Sequence, residues 1–249
     1  MPRSHQHLPR LFVNHDLGPG TTVTLDKPQA HYLVNVMRRR PGDAVILFNG
    51  RDGAWRTELV AADRKRAELE PVEQIAAQPE HPDLWYLFAP LKTGRLDYMV
   101  QKAVEMGVGH IQPVKTQHTQ FPKLNKDKLA ANTVEAAEQC EVLAVPELHP
   151  IIPLETLIAN WAEDHPGRQI IFADESEASG SPQAVFETLA GRPLALLIGP
   201  EGGFSEEERR MLHGCEFVHP VSLGPRILRA DTAAVAALGA LQSIIGDWR

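Results

Sequence analysis

Two short glycine-containing segments near the C-terminal end hold the residues best suited to chemistry. Residues 197–205 read Leu-Ile-Gly-Pro-Glu-Gly-Gly-Phe-Ser, and residues 222–234 read Ser-Leu-Gly-Pro-Arg-Ile-Leu-Arg-Ala-Asp-Thr-Ala-Ala. Each follows an apolar, strand-like run, and open α/β sheets bind ligands where their strands end. Glycine lets backbone N–H and C=O groups approach a ligand closely. The pair predicts two walls of one pocket, although each glycine taken alone also suits an ordinary turn.

Neither segment is a common nucleotide-binding loop. A P-loop needs a Lys directly after its last glycine, and no Lys follows Gly202 or Gly203. The Rossmann pattern G-x-G-x-x-G is missing as well. We therefore expect the pocket to hold a ligand other than a nucleoside triphosphate or a dinucleotide.

Charged residues stand within both segments. Arg229 and Asp231 follow the second turn, and Glu201 lies in the first. A guanidinium at this position can hold a carboxylate, a phosphate or an enolate-like oxygen. The alternative is a surface pair in which Arg229 and Asp231 meet at the start of the last helix. The histidines are scattered along the chain, and we expect no metal site.

Composition favours a soluble globular protein. The 249 residues suffice for one large domain or two smaller ones. No apolar run reaches the roughly 18–20 residues that span a bilayer, and the first ten residues lack the apolar stretch of a signal peptide. The two cysteines, Cys140 and Cys215, have no CxxC partner and are typical of reduced thiols. We expect a cytoplasmic protein that does not span a membrane.

The formal net charge of −7 hides an asymmetry. Residues 1–75 carry 11 Lys and Arg against 9 Asp and Glu, whereas residues 76–249 carry 14 against 23. The run Arg38-Arg39-Arg40 follows an amphipathic stretch that begins at His31. A local basic patch of this kind is compatible with RNA binding. The alternative is a solvated helix end whose cations suit the helix dipole.

The elements that must position these residues change in type near residue 75. Residues 1–74 show short strands and a hairpin turn at 49–53, which predicts a small β-rich domain. Residues 75–249 alternate strands with helices, which predicts a mostly parallel sheet with helices on both faces. The last helix, residues 232–245, is apolar around much of its surface. It must be covered by its own sheet or by another subunit.

The two glycine segments resemble the C-terminal signatures of the 16S ribosomal RNA (uracil-N3)-methyltransferase family, a branch of the SPOUT methyltransferases. Residues 102–108 are similar to that family's K-x-x-E-L-G-V segment, and residues 135–140 resemble its A-x-E-Q-[SC] element. Residues 10–13 and 31–38 match its N-terminal pattern. The resemblance covers nearly the whole chain.

The resemblance implies a PUA-like RNA-binding β-barrel over residues 1–74 and a SPOUT domain over 75–249. In a SPOUT domain the C-terminal segment passes through a loop to form a trefoil knot, which patterning alone would not suggest because knots are exceptional. The family binds S-adenosylmethionine in the knot, works as a homodimer and acts on 16S ribosomal RNA in the small ribosomal subunit. The implied reaction methylates N3 of a specific uridine in the decoding region.

Carried over to this chain, the resemblance assigns three groups of residues. The cofactor-binding residues would be Leu197, Ile198, Gly199, Gly203, Leu223, Gly224, Ile227 and Leu228. The RNA contacts would be Arg10, His31, Arg38 and Lys92. Deprotonated N3 of uracil spreads negative charge onto O2 and O4, and Arg229 is the residue that would stabilise this charge. Glu201 and Asp231 are the carboxylates from which a general base would come, with bulk water as the alternative.

Two positions depart from the family pattern. Residues 141–144 read Glu-Val-Leu-Ala where an Arg is usual, and Asp231 stands where Glu is more usual. Two alternatives to uracil methylation also remain. One is another SPOUT activity, methylation of the ribose 2′-oxygen, and the other is a non-catalytic RNA-binding assembly protein that keeps the fold.

Overall fold

The N-terminal part of the chain forms a compact β-rich unit of its own. The structure is a computed structural model that describes residues 7–63, 66–120, 123–174 and 181–248. It divides into a first unit, residues 1–81 with 137–145, and a second unit, residues 82–136 with 146–249. The predicted boundary after residue 74 does not coincide with this division.

The first unit contains one five-stranded sheet. Its strands are β1 (Arg10–Phe12), β2 (Val23–Thr24), β3 (Ala44–Phe48), β4 (Ala54–Ala62) and β5 (Ala67–Ala76), in the order β1-β3-β4-β5-β2. β1 pairs parallel to β3, and the other neighbours are antiparallel. Helix α1 (Lys27–His31) continues directly into a π-helical turn, Tyr32–Val36. This is the β-rich N-terminal domain that the short strands predict.

Strand β5 explains why the division lies later than the sequence indicates. Pro71 lies inside β5, where it pairs with Thr57, and the ladder continues beyond residue 74 to Ala76 opposite Ala54. The turn into β4 requires glycine, because a Cβ on Gly53 would lie 2.2 Å from the carbonyl oxygen of Ala76. Long-range pairing with β4 therefore keeps this stretch in the sheet.

The second unit contains a parallel sheet in the order β12-β10-β11-β6-β7-β8, with β9 also paired to β7. Its strands are β6 (Leu84–Phe88), β7 (His110–Lys115), β8 (Glu147–Leu148), β9 (Ile152–Pro153), β10 (Gln169–Ala173), β11 (Leu194–Ile198) and β12 (Val218–Val221). The helices are α2 (Thr93–Glu105), α3 (Lys126–Cys140), α4 (Leu154–Asp164), α5 (Pro182–Thr188), α6 (Glu206–His213) and α7 (Ala230–Ile244), and the last residues of α3, from Ala137 on, belong to the first unit. Within the described ranges, no helix has the length and apolar character needed to cross a bilayer.

Helices cover both faces of this sheet. On one face, Trp85 and Leu87 pack in a core cluster with Trp161 of α4 and Leu212 of α6. Tyr86 points to the opposite face, since successive strand residues alternate. Burial and the nearby carboxylate of Asp231, at the start of α7, raise the pKa of Tyr86 well above its usual value. α7 packs on β11 and α2, so its own sheet covers the apolar helix.

A capping box begins α6 and leads to a stability prediction. Ser205 Oγ accepts a hydrogen bond from the backbone N–H of Glu208. In return, Glu208 Oε2 accepts a hydrogen bond from the backbone N–H of Ser205. The buried Glu208 also accepts from the Gln117 backbone N–H through Oε1 at 2.7 Å. We expect Glu208→Ala to lower the free energy of unfolding by about 2–4 kcal/mol, because two backbone donors lose their partner.

Ser205→Ala should cost less, about 1 kcal/mol, because it removes a single cap acceptor. Urea unfolding of both variants measures the difference. Glu207→Ala is the matched control, since Glu207 is an exposed residue of the same turn. An equal loss for Glu207→Ala and Glu208→Ala would contradict the explanation.

Candidate active site

A cavity of about 330 Å³ lies where β10, β11 and β12 end. Its wall includes Ala173 at the end of β10, Ile198 at the end of β11 and Val221 at the end of β12. The volume falls within the range of small-molecule sites. The carboxyl edge of a parallel sheet is also the usual place for a ligand. The two glycine segments thus meet at one cavity, as the sequence predicts.

The first wall follows β11 and requires a residue without a side chain at position 199. A Cβ on Gly199 would lie 2.5 Å from the Phe204 ring. That ring is buried and packs edge-on against Phe172, with 5.1 Å between centroids. Gly203 has φ +69°, and its N–H donates to the carbonyl of Pro200 at 3.0 Å. The glycines therefore allow a tight turn that holds Phe204 in the cavity wall.

The second wall follows β12 and is mostly apolar. Gly224 has φ +107°, a backbone conformation that residues with a Cβ rarely adopt. On either side of this turn, Leu223, Ile227 and Leu228 line the cavity. Ile227 is 86% exposed, which is unusual for an isoleucine. This wall offers an apolar surface to a ligand or to another protein chain.

Charged groups stand at the rim of the cavity. Arg229 lines it with a side chain that is 67% exposed, and its Nε lies 4.0 Å from Asp231 Oδ1. Arg95 of α2 donates from Nη1 to Glu201 Oε1 at 2.6 Å. Glu201 is therefore held by a cation, whereas the long, exposed Arg229 side chain remains able to reach a ligand.

The structure brings most of the predicted site residues together. The predicted residues that line the cavity are Ile198, Gly199, Glu201, Gly203, Leu223, Gly224, Ile227, Leu228 and Arg229. Leu197 and Asp231 are not part of the lining over the described residues. Leu197 is fully buried and packs in the core cluster beneath the sheet, because alternation turns it away from Ile198. Asp231 lies near Tyr86 instead.

Sequence reasoning missed several lining residues, above all Arg95 and Asp174. Asp174 is almost fully buried, and its Oδ2 accepts from Arg209 Nη2 and bonds to His213 Nε2, both at 2.9 Å. Its position directly after β10 is a signal that the strand-end rule could have used. Arg95 belongs to α2 and lies 106 residues before Glu201 in the sequence, so local sequence gives no signal that it reaches the cavity.

The predicted RNA contacts lie in different surroundings. Arg10 is largely buried, with its Nη2 3.0 Å from Glu141 Oε2. The Glu that departs from the family pattern thus forms an ion pair with a predicted RNA-binding residue. His31, at the end of α1, and Arg38, with φ +58°, are exposed in the first unit. Lys92 is exposed at the start of α2 in the second unit.

Comparison with known families agrees with this architecture. Residues 79–242 match the family model described as RNA methyltransferase domain. The chain belongs to this RNA methyltransferase family. Residues 25–72 of the methyltransferase match a second model, described as RNA methyltransferase PUA domain.

Curated relatives cover nearly the whole methyltransferase. It is 31% identical over 230 residues to ribosomal RNA small subunit methyltransferase E of Synechocystis, a match covering 90% of this chain and 74% of that one. It is 27% identical to the protein of the same name from Rickettsia conorii, a match that covers 92% of this chain and 93% of that one. A solved structure of ribosomal RNA small subunit methyltransferase E from Neisseria gonorrhoeae, bound to S-adenosyl methionine, superposes with a TM-score of 0.83 at 27% identity. The superposition covers 98% of this chain and 100% of that one.

These matches confirm the predicted fold class and enzyme class. The methyltransferase combines a mostly parallel α/β domain with a separate PUA-type β domain, as the resemblance implies. It is an RNA methyltransferase. The roles of individual residues remain predictions, and the geometry of the cavity indicates which of them to test first.

Proposed function

We propose that this chain transfers a methyl group from S-adenosylmethionine to N3 of a specific uridine in the decoding region of 16S ribosomal RNA. The observation that carries the proposal is the meeting of the two glycine segments in one cavity with Arg229 at its rim. The names of the Synechocystis and Rickettsia relatives support ribosomal RNA of the small subunit as the substrate.

The cavity suits S-adenosylmethionine in chemistry as well as in size. Its apolar wall of Leu223, Ile227 and Leu228 can cover the adenine ring, and the backbone at Gly199 and Gly203 lines the cavity where it can contact the cofactor. The bound state of the Neisseria enzyme supports this choice of ligand. When bound, S-adenosylmethionine supplies a methyl group on a positively charged sulfonium.

The residues of the chain would then prepare the uracil. N3 becomes a good nucleophile only after it loses its proton, and the resulting charge spreads onto O2 and O4. Arg229 lines the cavity with a long, exposed side chain whose guanidinium can donate hydrogen bonds to one of these oxygens. A cation at this place favours the deprotonated base.

The geometry also bears on where the N3 proton goes. Glu201 already accepts a hydrogen bond from Arg95 and would have to give it up to accept a proton. Asp231 lies outside the cavity lining, beside Tyr86. We therefore favour solvent over either carboxylate as the final proton acceptor. A Glu201→Gln variant that keeps at least a third of the wild-type rate would support this, whereas a loss of two orders of magnitude would assign Glu201 as the base.

The proposal extends to a homodimer that acts on the small ribosomal subunit. Two exposed apolar side chains of the second unit support self-association, Ile227 at 86% and Trp248 at 54%. Sedimentation equilibrium of the purified chain measures the oligomeric state. Trp248→Ser should weaken the dimer, because it removes an exposed apolar side chain, and an unchanged dissociation constant would place Trp248 outside the interface.

The decisive experiment incubates the full chain with labelled S-adenosylmethionine and either unmodified small ribosomal subunits or free 16S ribosomal RNA. Mass spectrometry of the isolated nucleoside identifies the methylated atom. Methyl on uracil N3 supports the proposal, and methyl on a ribose 2′-oxygen replaces it with the second SPOUT activity. Calorimetry with S-adenosylmethionine completes the test, because absence of both binding and transfer would leave a non-catalytic RNA-binding protein.

Two exposed residues of the first unit, His31 and Arg38, lead to a separate prediction. We expect His31→Ala and Arg38→Ala to raise the KM for RNA several-fold and to leave the affinity for S-adenosylmethionine unchanged. Loss of the Arg38 charge should also reduce the slope of log affinity against log salt concentration by about one. Arg51→Ala is the matched control, since Arg51 is an exposed Arg of the same unit paired with Asp16. Equal KM values for all three variants would contradict this assignment.

A further inference from the structure

A cluster of metal-ligand side chains lies at the amino edge of the parallel sheet. β7 and β8 pair so that His110 stands opposite Glu147. Neighbouring residues of paired strands project from the same face, and so do residues two apart along one strand. His149, two residues after Glu147, therefore joins the other two side chains. No short sequence motif contains all three, because strand pairing alone brings His110 to the others.

The three donor atoms are spaced as metal ligands are. His110 Nδ1 lies 3.2 Å from His149 Nε2 and 3.6 Å from Glu147 Oε2. One ligand atom from each of the three residues lies within 4.8 Å of both others. A tetrahedral zinc ion with bonds of about 2.0–2.1 Å would separate its ligand atoms by roughly 3.3 Å. The observed spacing thus needs little adjustment to bind an ion.

The surrounding residues already fix the two imidazole rings. Trp85 stacks on His110 with 4.5 Å between centroids and an interplanar angle of 15°, and on His149 with 4.5 Å and 20°. The backbone N–H of Glu147 donates to the Gly109 carbonyl, and that of His149 donates to the Ile111 carbonyl. Ligands held in place in this way lose little conformational entropy when an ion binds.

We propose that His110, Glu147 and His149 form a binding site for one divalent transition-metal ion of the zinc type, with one coordination position open. Two imidazoles and a carboxylate are a known zinc-ligand set. Without the ion, a single N–H lies between His110 Nδ1 and His149 Nε2 as a hydrogen bond. With the ion, both nitrogens are ligands, and each neutral ring carries its proton on the other nitrogen.

This site is separate from the cavity at the carboxyl edge. His110 and Glu147 are the first residues of β7 and β8, whereas the cavity forms at the ends of β10, β11 and β12. All of these strands run parallel, so the two places lie at opposite edges of one sheet. The ion would hold β7 to the short strand β8 and take no part in methyl transfer. The expectation of no metal came from local sequence, which does not contain this pairing.

Calorimetric titration of the full chain with Zn²⁺ tests the proposal. We expect one ion per chain at this site, with affinity at least tenfold weaker in His149→Gln and Glu147→Gln. His219→Gln is the matched control, since this partly buried histidine of β12 bonds to Gln169 instead. Zn²⁺ bound by His7 or other histidines elsewhere would persist in every variant. Equal Zn²⁺ binding by the wild type and both ligand variants would overturn the proposal.

Two further measurements guard against a folding artefact. The Glu147 side chain is 62% exposed, so Glu147→Gln should fold normally. Zn²⁺ should raise the Tm of the wild type and not that of Glu147→Gln, because only an ion bound to the native state stabilises it. Co²⁺ in place of Zn²⁺ should give the strong visible absorption of a tetrahedral site, and its absence would also count against the proposal. Methyl transfer in the presence of a chelator tests the separate activity and should be unchanged.

Discussion

Replacing Arg229 by Ala is expected to lower the rate of methyl transfer by about two to three orders of magnitude, the usual effect of removing one group that stabilises developing charge. The affinity for S-adenosylmethionine should change no more than a few-fold. Arg229 lines the cavity with a side chain that is 67% exposed, so its loss leaves no buried gap in the wall. Single-turnover rates at saturating cofactor measure the first effect, and calorimetry measures the second.

Arg226→Ala is the matched control for this prediction. Arg226 belongs to the same segment, lines the same cavity and is exposed. A comparable loss of rate in both variants would mean that general positive charge matters and not the position of one guanidinium. Arg229→Lys adds a second test, because Lys keeps the charge and lacks the planar pair of donors. Wild-type turnover in Arg229→Ala would remove Arg229 from the mechanism.

Gly199→Ala is expected to weaken S-adenosylmethionine binding at least tenfold. The new Cβ would lie 2.5 Å from the Phe204 ring, a distance that requires the ring to move. The ring cannot move freely, because it is buried and packs edge-on against Phe172. Either Phe204 or the turn must then shift into the cavity. Calorimetry with S-adenosylmethionine measures the affinity, and thermal unfolding checks that the variant is folded.

A second substitution separates this steric explanation from a general loss of stability. Gly199→Ala combined with Phe204→Leu removes the ring that meets the Cβ and should recover part of the cofactor affinity. Gly94→Ala is the control, since a Cβ at Gly94 meets no atom within 4 Å. Unchanged affinity in Gly199→Ala, or no recovery in the double variant, would show that Phe204 does not transmit the effect.

Local sequence signals predicted the parts of the site that follow one another in the chain. Gly199, Gly203 and Gly224 stand directly after apolar strands, and all three line the cavity. The capping box at Ser205 begins α6 as its residue types indicate. These features succeed because turn geometry and helix capping depend on a few neighbouring residues. The alternation of strands and helices likewise predicted the parallel sheet.

The surroundings of other residues depend on distant partners. The side chain of Leu197, a predicted cofactor residue, packs beneath the sheet because Leu197 precedes Ile198 by one residue in a strand, and its role stays a prediction. Arg10, an RNA contact implied by the resemblance, forms an ion pair with Glu141 from a later part of the same unit, and its role stays a prediction. β5 continues past its own Pro71 to Ala76 because it pairs with β4.

The sequence by itself determined the two glycine segments, the parallel α/β order of the second unit and the family to which the chain is similar. Only the tertiary structure decided that Arg95 holds Glu201 and that Glu141 forms an ion pair with Arg10. It also brought His110 to Glu147 and His149. The physical reason is that strand pairing and helix packing place residues far apart in the chain within a few ångströms of each other, and no local pattern contains that information.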